Sequence, residues 1–283
     1  MNKSRDHTED TCRRKVYIKT AGLAKRMKPV KPSPPAKSSP PDLSVITITY
    51  NERENIRLFI EEVNKVFQEN HLQGEIIVVD DSSPDGTSDV VLELKKKYPQ
   101  TTLIKRPGKM GISSAYRDGL ATAQGTVVTL LDADLSHSPA QIPELYAVTK
   151  DGKIGWGSRY LGDTKFETDL FHRCGTLLLN KWAAFWLKTG MKDHTLGYFV
   201  IQREQLQKIL EYGQSKGINP FDQILYGLPI AAIARKLSIP IVEIKAPYRQ
   251  RIHGETKIAF LWGVRVVCGD LLYTLKLARR LRR

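Results

Sequence analysis

Two aspartates separated by one residue, Asp132 and Asp134, follow directly on the apolar run Val127-Val128-Thr129-Leu130-Leu131 and lead into Ser136, His137 and Pro139. A short β-rich apolar run of this kind reads as a buried strand, so both carboxylates fall where the chain leaves a sheet. Two acids that close together repel unless a cation lies between them. Hard oxygen donors on a short loop suit Mg²⁺ or Mn²⁺ and leave coordination positions for a phosphate-bearing molecule. Taken alone, the Asp-Ala-Asp triplet reads more readily as a solvated loop with a helix N-cap, and it is the rest of the chain that reverses this.

Other polar groups gather at comparable positions. Tyr50 and Glu52 follow the run Ser44 to Thr49, and Asp80 and Asp81 follow Ile76-Ile77-Val78-Val79. With Asp132 and Asp134 these make six polar groups at the ends of three strands. A nucleotide needs acceptors for its base and ribose hydroxyls and a cation for its diphosphate. Carboxylates cannot bind phosphate directly, so the cation must bridge, with basic side chains on the far side. Arg159, Arg251 and Lys257 are the candidates for that side. Neither GxxxxGK[ST] nor GxGxxG occurs, which argues against an NTPase or a dinucleotide enzyme.

The elements that must hold these residues alternate. Strands are expected over Ser44–Thr49, 75–79, Thr102–Ile104 and Val127–Leu131, with helical spacing at Ile56, Phe59, Ile60, Val63, Val66 and Phe67, again at Val90, Val91 and Leu94, and over Ser113–Ala123. That order predicts an α/β fold with a mainly parallel central sheet, right-handed crossovers and helices on both faces, with ligands at the C-terminal strand ends. Further on, Gly155–Tyr160 reads as a strand-like segment, Leu177–Leu187 as a very apolar helix that is either core or membrane-facing, with the core favoured, and Arg203–Tyr212 and Asp222–Ala234 as helices, the latter interrupted by Gly227 and Pro229. Ile241–Ile244 reads as a late strand, and 258–283 as a basic amphipathic helix.

Charge is uneven along the 283 residues. Residues 1–42 hold eleven Lys and Arg against four acids, and 273–283 hold five against none, so the middle is nearly neutral. The Pro-, Ser- and Lys-rich arm 1–42 cannot bury a core and is expected to be disordered. Basic ends on a neutral body point to an anionic surface, and without basic and aromatic interleaving in the middle a lipid surface is favoured over nucleic acid. Cys12, Cys174 and Cys268 are odd in number and without a CxxC, which fits a reducing compartment and neither a disulfide framework nor a zinc site. No signal peptide and no apolar run of spanning length is visible, so a protein lying on a membrane from the cytoplasmic side is expected.

Five ordered stretches carry a family resemblance: Thr49-Tyr50-Asn51-Glu52-Arg53-Glu54-Asn55, Asp80-Asp81-Ser82-Ser83-Pro84-Asp85-Gly86-Thr87, Asp132-Ala133-Asp134-Leu135-Ser136-His137, Gly157-Ser158-Arg159-Tyr160 and Arg251-Ile252-His253-Gly254-Glu255-Thr256-Lys257. Over about residues 43–258 the chain resembles the family 2 glycosyltransferases, in particular the dolichyl-phosphate (polyprenol-phosphate) mannosyltransferases. The resemblance implies a glycosyltransferase A fold and inverting hexose transfer from a sugar nucleotide, GDP-mannose, to a polyprenyl or dolichyl phosphate, with Mg²⁺ or Mn²⁺ as cofactor. Tyr50, Glu52, Val79 and Asp81 would line the base and ribose pocket. Asp132, Ala133 and Asp134 would meet the metal and diphosphate, with Ser136 close to the metal. Arg159, Arg251 and Lys257 would surround the phosphates, and Asp134 and Arg251 would be the catalytic pair. Where the family shows Thr-Ser-Gly-Phe-Arg, this chain has Thr195-Leu196-Gly197-Tyr198-Phe199. The alternatives are a UDP-sugar donor such as UDP-glucose on the same fold, or a non-catalytic lipid- or nucleic-acid-binding module. A membrane-anchoring subunit is a further partner such an enzyme could use.

Overall fold

The computed structural model describes residues 40–163, 169–223, 225–249 and 260–282, without the side chains of 171 and 260–266. Arg251, Lys257 and nearly all of the basic arm lie outside the described residues.

Seven strands form one sheet in the order β3-β2-β1-β4-β6-β5-β7. β1 (Leu43–Thr49), β2 (Gly74–Asp80), β3 (Thr101–Lys105) and β4 (Val127–Leu130) are mutually parallel, with β1 in the centre between β2 and β4. The connecting helices α1 (Arg53–Glu69), α2 (Thr87–Lys97) and α3 (Ile112–Thr122) provide the crossovers that parallel pairing requires. β6 (Phe199–Gln202) runs antiparallel between β4 and β5 (Ile154–Ser158), and β7 (Ile241–Lys245) closes the far edge parallel to β5. The α/β expectation therefore holds, with a single antiparallel strand inserted into the sheet.

Because β1, β2 and β4 are covered on both faces, they carry mostly apolar runs broken only by buried hydroxyls such as Ser44, Thr47 and Thr129, rather than alternation. Val45, Ile76, Val78 and Leu43 face one core with Phe59, Ile60 and Val63 of α1 and Ile142 and Leu145 of α4 (Ile142–Thr149). Ile46, Ile77, Val79, Val128 and Leu130 face the other, which is shared with α3, α6 (Arg203–Ser215), α7 (Gly227–Lys236) and parts of α5 (Leu170–Leu187) and α8 (Phe260–Arg282). Gly119 lets α3 close onto this face, since a Cβ there would lie 2.5 Å from Ile46 Cγ2. That approach brings Tyr116 up to the end of β4.

Two expectations need correction. The expected helix from Asp222 begins only at Gly227, after a 3₁₀ turn over Pro220–Asp222, because Pro229 lacks an N–H and fits only the first turn of a helix. The apolar helix α5 is not simply core: Leu179, Ala183 and Leu187 are buried, but Leu170, Leu177, Leu178 and Phe185 are exposed. Its apolar residues occupy both faces, a distinction that composition alone does not make.

Candidate nucleotide and metal site

The chain leaves each of β1, β2 and β4 through a residue held in the left-handed region: Asn51 (φ 60°), Ser82 (φ 55°) and Leu135 (φ 59°). For a leucine this conformation is costly, and such strain persists only where the surroundings over-determine it. Here the surroundings are visible. Asn51 N donates to Ser83 Oγ at 3.0 Å, Ser82 Oγ donates to Arg106 O, and Leu135 is buried beside Ser136, whose N donates to Asp134 Oδ1 at 3.0 Å.

The four strand-end aspartates do different work. Asp80 is fully buried and accepts from Thr49 Oγ1 (2.9 Å), Ser83 N (3.0 Å), Ser88 Oγ (2.7 Å) and Ser83 Oγ, which leaves it little capacity for a ligand. It knots the β1 and β2 ends together. Asp81 receives Arg106 Nη1 at 2.6 Å and Met110 N at 3.2 Å, so it anchors the 106–111 loop. Asp134 is 4% exposed, and its Oδ1 turns back onto the loop. Asp132 is half-buried, with Tyr116 Oη 3.4 Å from its Oδ1.

The residues expected to line the base pocket lie at the same edge. Tyr50 has Lys109 Nζ 4.2 Å above its ring, and Glu52 accepts from Asn55 Nδ2 at 2.7 Å. The Val79 side chain is fully buried in the core against α3, so only its backbone faces the loop region.

Arg159 leaves β5 and is 7% exposed. Its Nε and Nη2 fork onto Asp193 Oδ2 and Oδ1, each at 2.8 Å, and Nη2 also reaches Thr195 Oγ1 at 2.5 Å. Burial alone would lower the arginine and raise the aspartate, but the hydrogen bonds and opposite charges reverse both, raising Arg159 and lowering Asp193. Asn180 Nδ2 supports Asp193 at 3.2 Å, and Glu243 accepts from the backbone N–H groups of Lys192 and Asp193. The sequence places Arg159 among the groups for phosphate, and in the structure most of its donor fork faces protein.

His137 stacks on Tyr198 with centroids 5.5 Å apart and meets Tyr248 edge-on. Burial lowers its pKa to about 4, against the pull of Asp134. His194 is likewise lowered to about 4, mainly by burial, with its Nε2 2.6 Å from Thr189 Oγ1. A histidine depressed in the folded state contributes its stability fully above its unfolded pKa of 6.5 and loses it as pH falls toward 4. Melting temperature should therefore fall between pH 6.5 and 4, each histidine accounting for roughly 3 kcal/mol. In His194→Gln the fall should shrink by about half, and an unchanged pH profile would remove the histidine from the account.

Among the described residues no cluster of three or more His, Cys, Asp or Glu is poised to enclose a metal. The donor set nonetheless fits Mg²⁺ or Mn²⁺. Two carboxylates and a hydroxyl on one loop are hard oxygen donors, and an ion so held takes its remaining ligands from substrate phosphates. A cavity of about 800 Å³ between α3 and α6, lined by Arg117, Leu120, Val127, Gln202 and Leu206 among others, sits at the opposite end of β4 and is separate from this site.

Sequence reading missed Arg106, Tyr116 and Tyr226. Tyr116 was masked by its place in an ordinary helical pattern, and the Asp81–Arg106 pair joins residues 25 apart.

Parallel strand ends carrying acids and hydroxyls, flanked by an inserted antiparallel strand, define the nucleotide-diphospho-sugar transferase class of α/β proteins, the glycosyltransferase A fold. The chain matches glycosyl transferase family 2 over residues 44–210 and belongs to that family. It is 34% identical over 222 residues to a dolichol-phosphate mannosyltransferase of Pyrococcus furiosus, covering 76% of this chain and 59% of that one, so it spans less than two thirds of that relative's length. It is 32% identical over 222 residues to a polyprenol monophosphomannose synthase of Mycolicibacterium smegmatis, covering 76% and 80% of the two chains. Its fold is shared with glucosyl-3-phosphoglycerate synthase from Mycobacterium tuberculosis, solved with Mn²⁺, UDP and glucosyl-3-phosphoglycerate (TM-score 0.57, 16% identity, 83% of this chain and 80% of that one). A mannosyltransferase from Pyrobaculum calidifontis in complex with GDP-Man and Mn²⁺ is also similar (TM-score 0.50, 18% identity, 88% and 77%).

Proposed function

We propose that this protein transfers mannose from GDP-mannose to a polyprenyl phosphate such as dolichyl phosphate, with inversion and with Mg²⁺ or Mn²⁺ bound at Asp132 and Asp134. The observation that carries the reading is the pair of carboxylates at the end of β4, next to the acid- and hydroxyl-lined ends of β1 and β2. The names of the relatives from Pyrococcus furiosus and Mycolicibacterium smegmatis support mannose and a polyprenyl phosphate over a UDP-sugar. When bound, the metal would offset charge growing on the leaving nucleoside diphosphate.

The chain's own residues do the positioning. Tyr50 and Glu52 flank the nucleoside, while Asp81 reaches it from a loop fixed by Arg106. Arg251 and Lys257 supply positive charge to the phosphates, and Arg159, already charged and clamped, adds to that field at the edge of β5. No strong general base is required, because a phosphate monoester nucleophile is already ionised near neutral pH. Holding acceptor and donor in line supplies much of the remaining rate enhancement.

The lipid acceptor requires the protein to work at a bilayer surface. Leu170, Leu177, Leu178 and Phe185 of α5 and Leu272 of α8 are exposed, and α8 ends in Arg279, Arg280 and Arg282. Among the described residues no helix is long and apolar enough to cross a membrane. Exposed apolar side chains together with a basic helix end are the chemistry of an interfacial contact, here assigned to the cytosolic leaflet, with the basic arm and a membrane-anchoring subunit as further contributors.

Radiolabelled GDP-mannose incubated with dolichyl phosphate, Mn²⁺ and the protein should put label into a chloroform-extractable, mild-acid-labile product. Label appearing only from UDP-glucose would move the assignment to the second donor. Label from neither would remove the enzyme reading.

A further inference from the structure

Tyr116 sits in the middle of α3 and is 1% exposed. A phenylalanine would fill the same volume, and a buried phenol is unfavourable unless its hydroxyl is satisfied. Its hydroxyl lies between two partners, Asp132 Oδ1 at 3.4 Å and the hydroxyl of Tyr226. Tyr226 already commits its own proton to Gly197 O at 3.1 Å. The Tyr116 proton is therefore shared between the Tyr226 oxygen and the Asp132 carboxylate.

The far end of this chain of contacts is equally constrained. Gly197 has φ +73°, and a Cβ there would sit 3.2 Å from the Tyr226 hydroxyl, so the loop holds a glycine where Tyr226 reaches it. Two residues earlier, Thr195 accepts from Arg159 Nη2. The rings are packed as a unit: Tyr116 and Tyr226 centroids are 5.3 Å apart, and Phe221 lies 5.8 Å from Tyr116 and 5.9 Å from Tyr226. A path of contacts thus runs from the loop that clamps Arg159, through the half-buried Tyr226 and the buried Tyr116, to the carboxylate at the end of β4.

We infer that Tyr116 is a positioning residue for Asp132, aiming its carboxylate at the divalent ion, and that Tyr226 holds Tyr116 in that role from the Gly197 loop. The inference rests on the metal-dependent reading above and goes beyond it by assigning two residues that touch neither nucleotide nor ion. Outer-shell partners of metal-binding groups act in this way, by helping to fix the orientation of a ligand.

The test is Mn²⁺-dependent binding of GDP, followed by calorimetry over a Mn²⁺ series with wild type, Tyr116→Phe and Tyr226→Phe, beside thermal melts of the metal-free proteins. Tyr116→Phe should raise the Mn²⁺ concentration for half-maximal GDP binding by about tenfold, and Tyr226→Phe should raise it less. Melting of the metal-free Tyr116→Phe protein should shift little, since the ring packing is retained. GDP binding that needs the same Mn²⁺ concentration in wild type and Tyr116→Phe would overturn the positioning role while leaving the proposed function standing. The same holds if Tyr116→Phe fails to fold and Tyr226→Phe binds like wild type. Wild-type GDP binding that ignores Mn²⁺ would instead remove the metal reading itself, and the positioning role with it.

Discussion

Asp134→Asn should lower the proposed mannosyl transfer on the order of a thousandfold while leaving the fold intact. The side chain is buried, and its Oδ1 accepts from Ser136 N at 3.0 Å. An asparagine oxygen can keep that bond, so the strained turn at Leu135 survives the change. What is lost is the negative charge that the proposed cation site needs. Charge stabilisation of a leaving diphosphate is worth several kcal/mol, and each 1.4 kcal/mol is a factor of ten in rate. The measurement is the rate of label transfer across a Mn²⁺ series, with a thermal melt confirming the fold. A variant that turns over normally at ordinary Mn²⁺ would show that Asp134 holds the loop and nothing else. Asp132→Asn offers the comparison: this half-exposed carboxylate is steadied by Tyr116, and its loss should act more on donor binding than on the loop.

The gathering of acids and hydroxyls at neighbouring strand ends was legible in the sequence because each group directly follows a local signal. Thr49 to Glu52, Val79 to Asp81 and Leu131 to Asp134 are each an apolar run ending in polar residues, and parallel order alone puts those three ends side by side. β6 was not legible. Phe199–Gln202 is four residues long, and its strand state comes from antiparallel pairing with β4 and β5, neither adjacent in sequence. α4 was hidden for the same reason, an eight-residue apolar segment in which periodicity has no room to show. Arg159 illustrates the deeper limit. Its residue type and motif pointed to phosphate, but its partner lies 34 positions away on a loop whose course depends on the whole second half of the sheet. The same is true of Tyr116, where a pattern read only for apolar spacing cannot tell a core ring from one that carries a hydroxyl to a carboxylate.

Asp193→Ala should destabilise the protein by about 3–5 kcal/mol, the cost of leaving a buried guanidinium without its counter-charge. Asp193 is fully buried and receives the arginine fork, the Arg159 backbone N–H at 3.0 Å, Asn180 and Thr195, so removing it orphans several donors at once. For a chain of this size that is a fall in melting temperature on the order of 10 °C. The sign of the pH dependence follows from the lowered pKa of Asp193. A depressed carboxylate contributes its stability above its unfolded pKa and loses it as pH falls through the folded value. The deficit of the variant should accordingly be the same at pH 6 and pH 8 and narrow only in strong acid. The double variant Arg159→Leu/Asp193→Leu then separates structure from chemistry. Replacing both members of a buried pair by apolar groups is often neutral or stabilising, so this protein should regain most of the lost melting temperature. If the Arg159 charge serves the phosphates as well as the fold, the recovered protein stays inactive with sugar nucleotide and lipid phosphate. Recovered stability together with recovered transfer would make the Arg159–Asp193 clamp a purely structural device and leave the basic side of the site to Arg251 and Lys257.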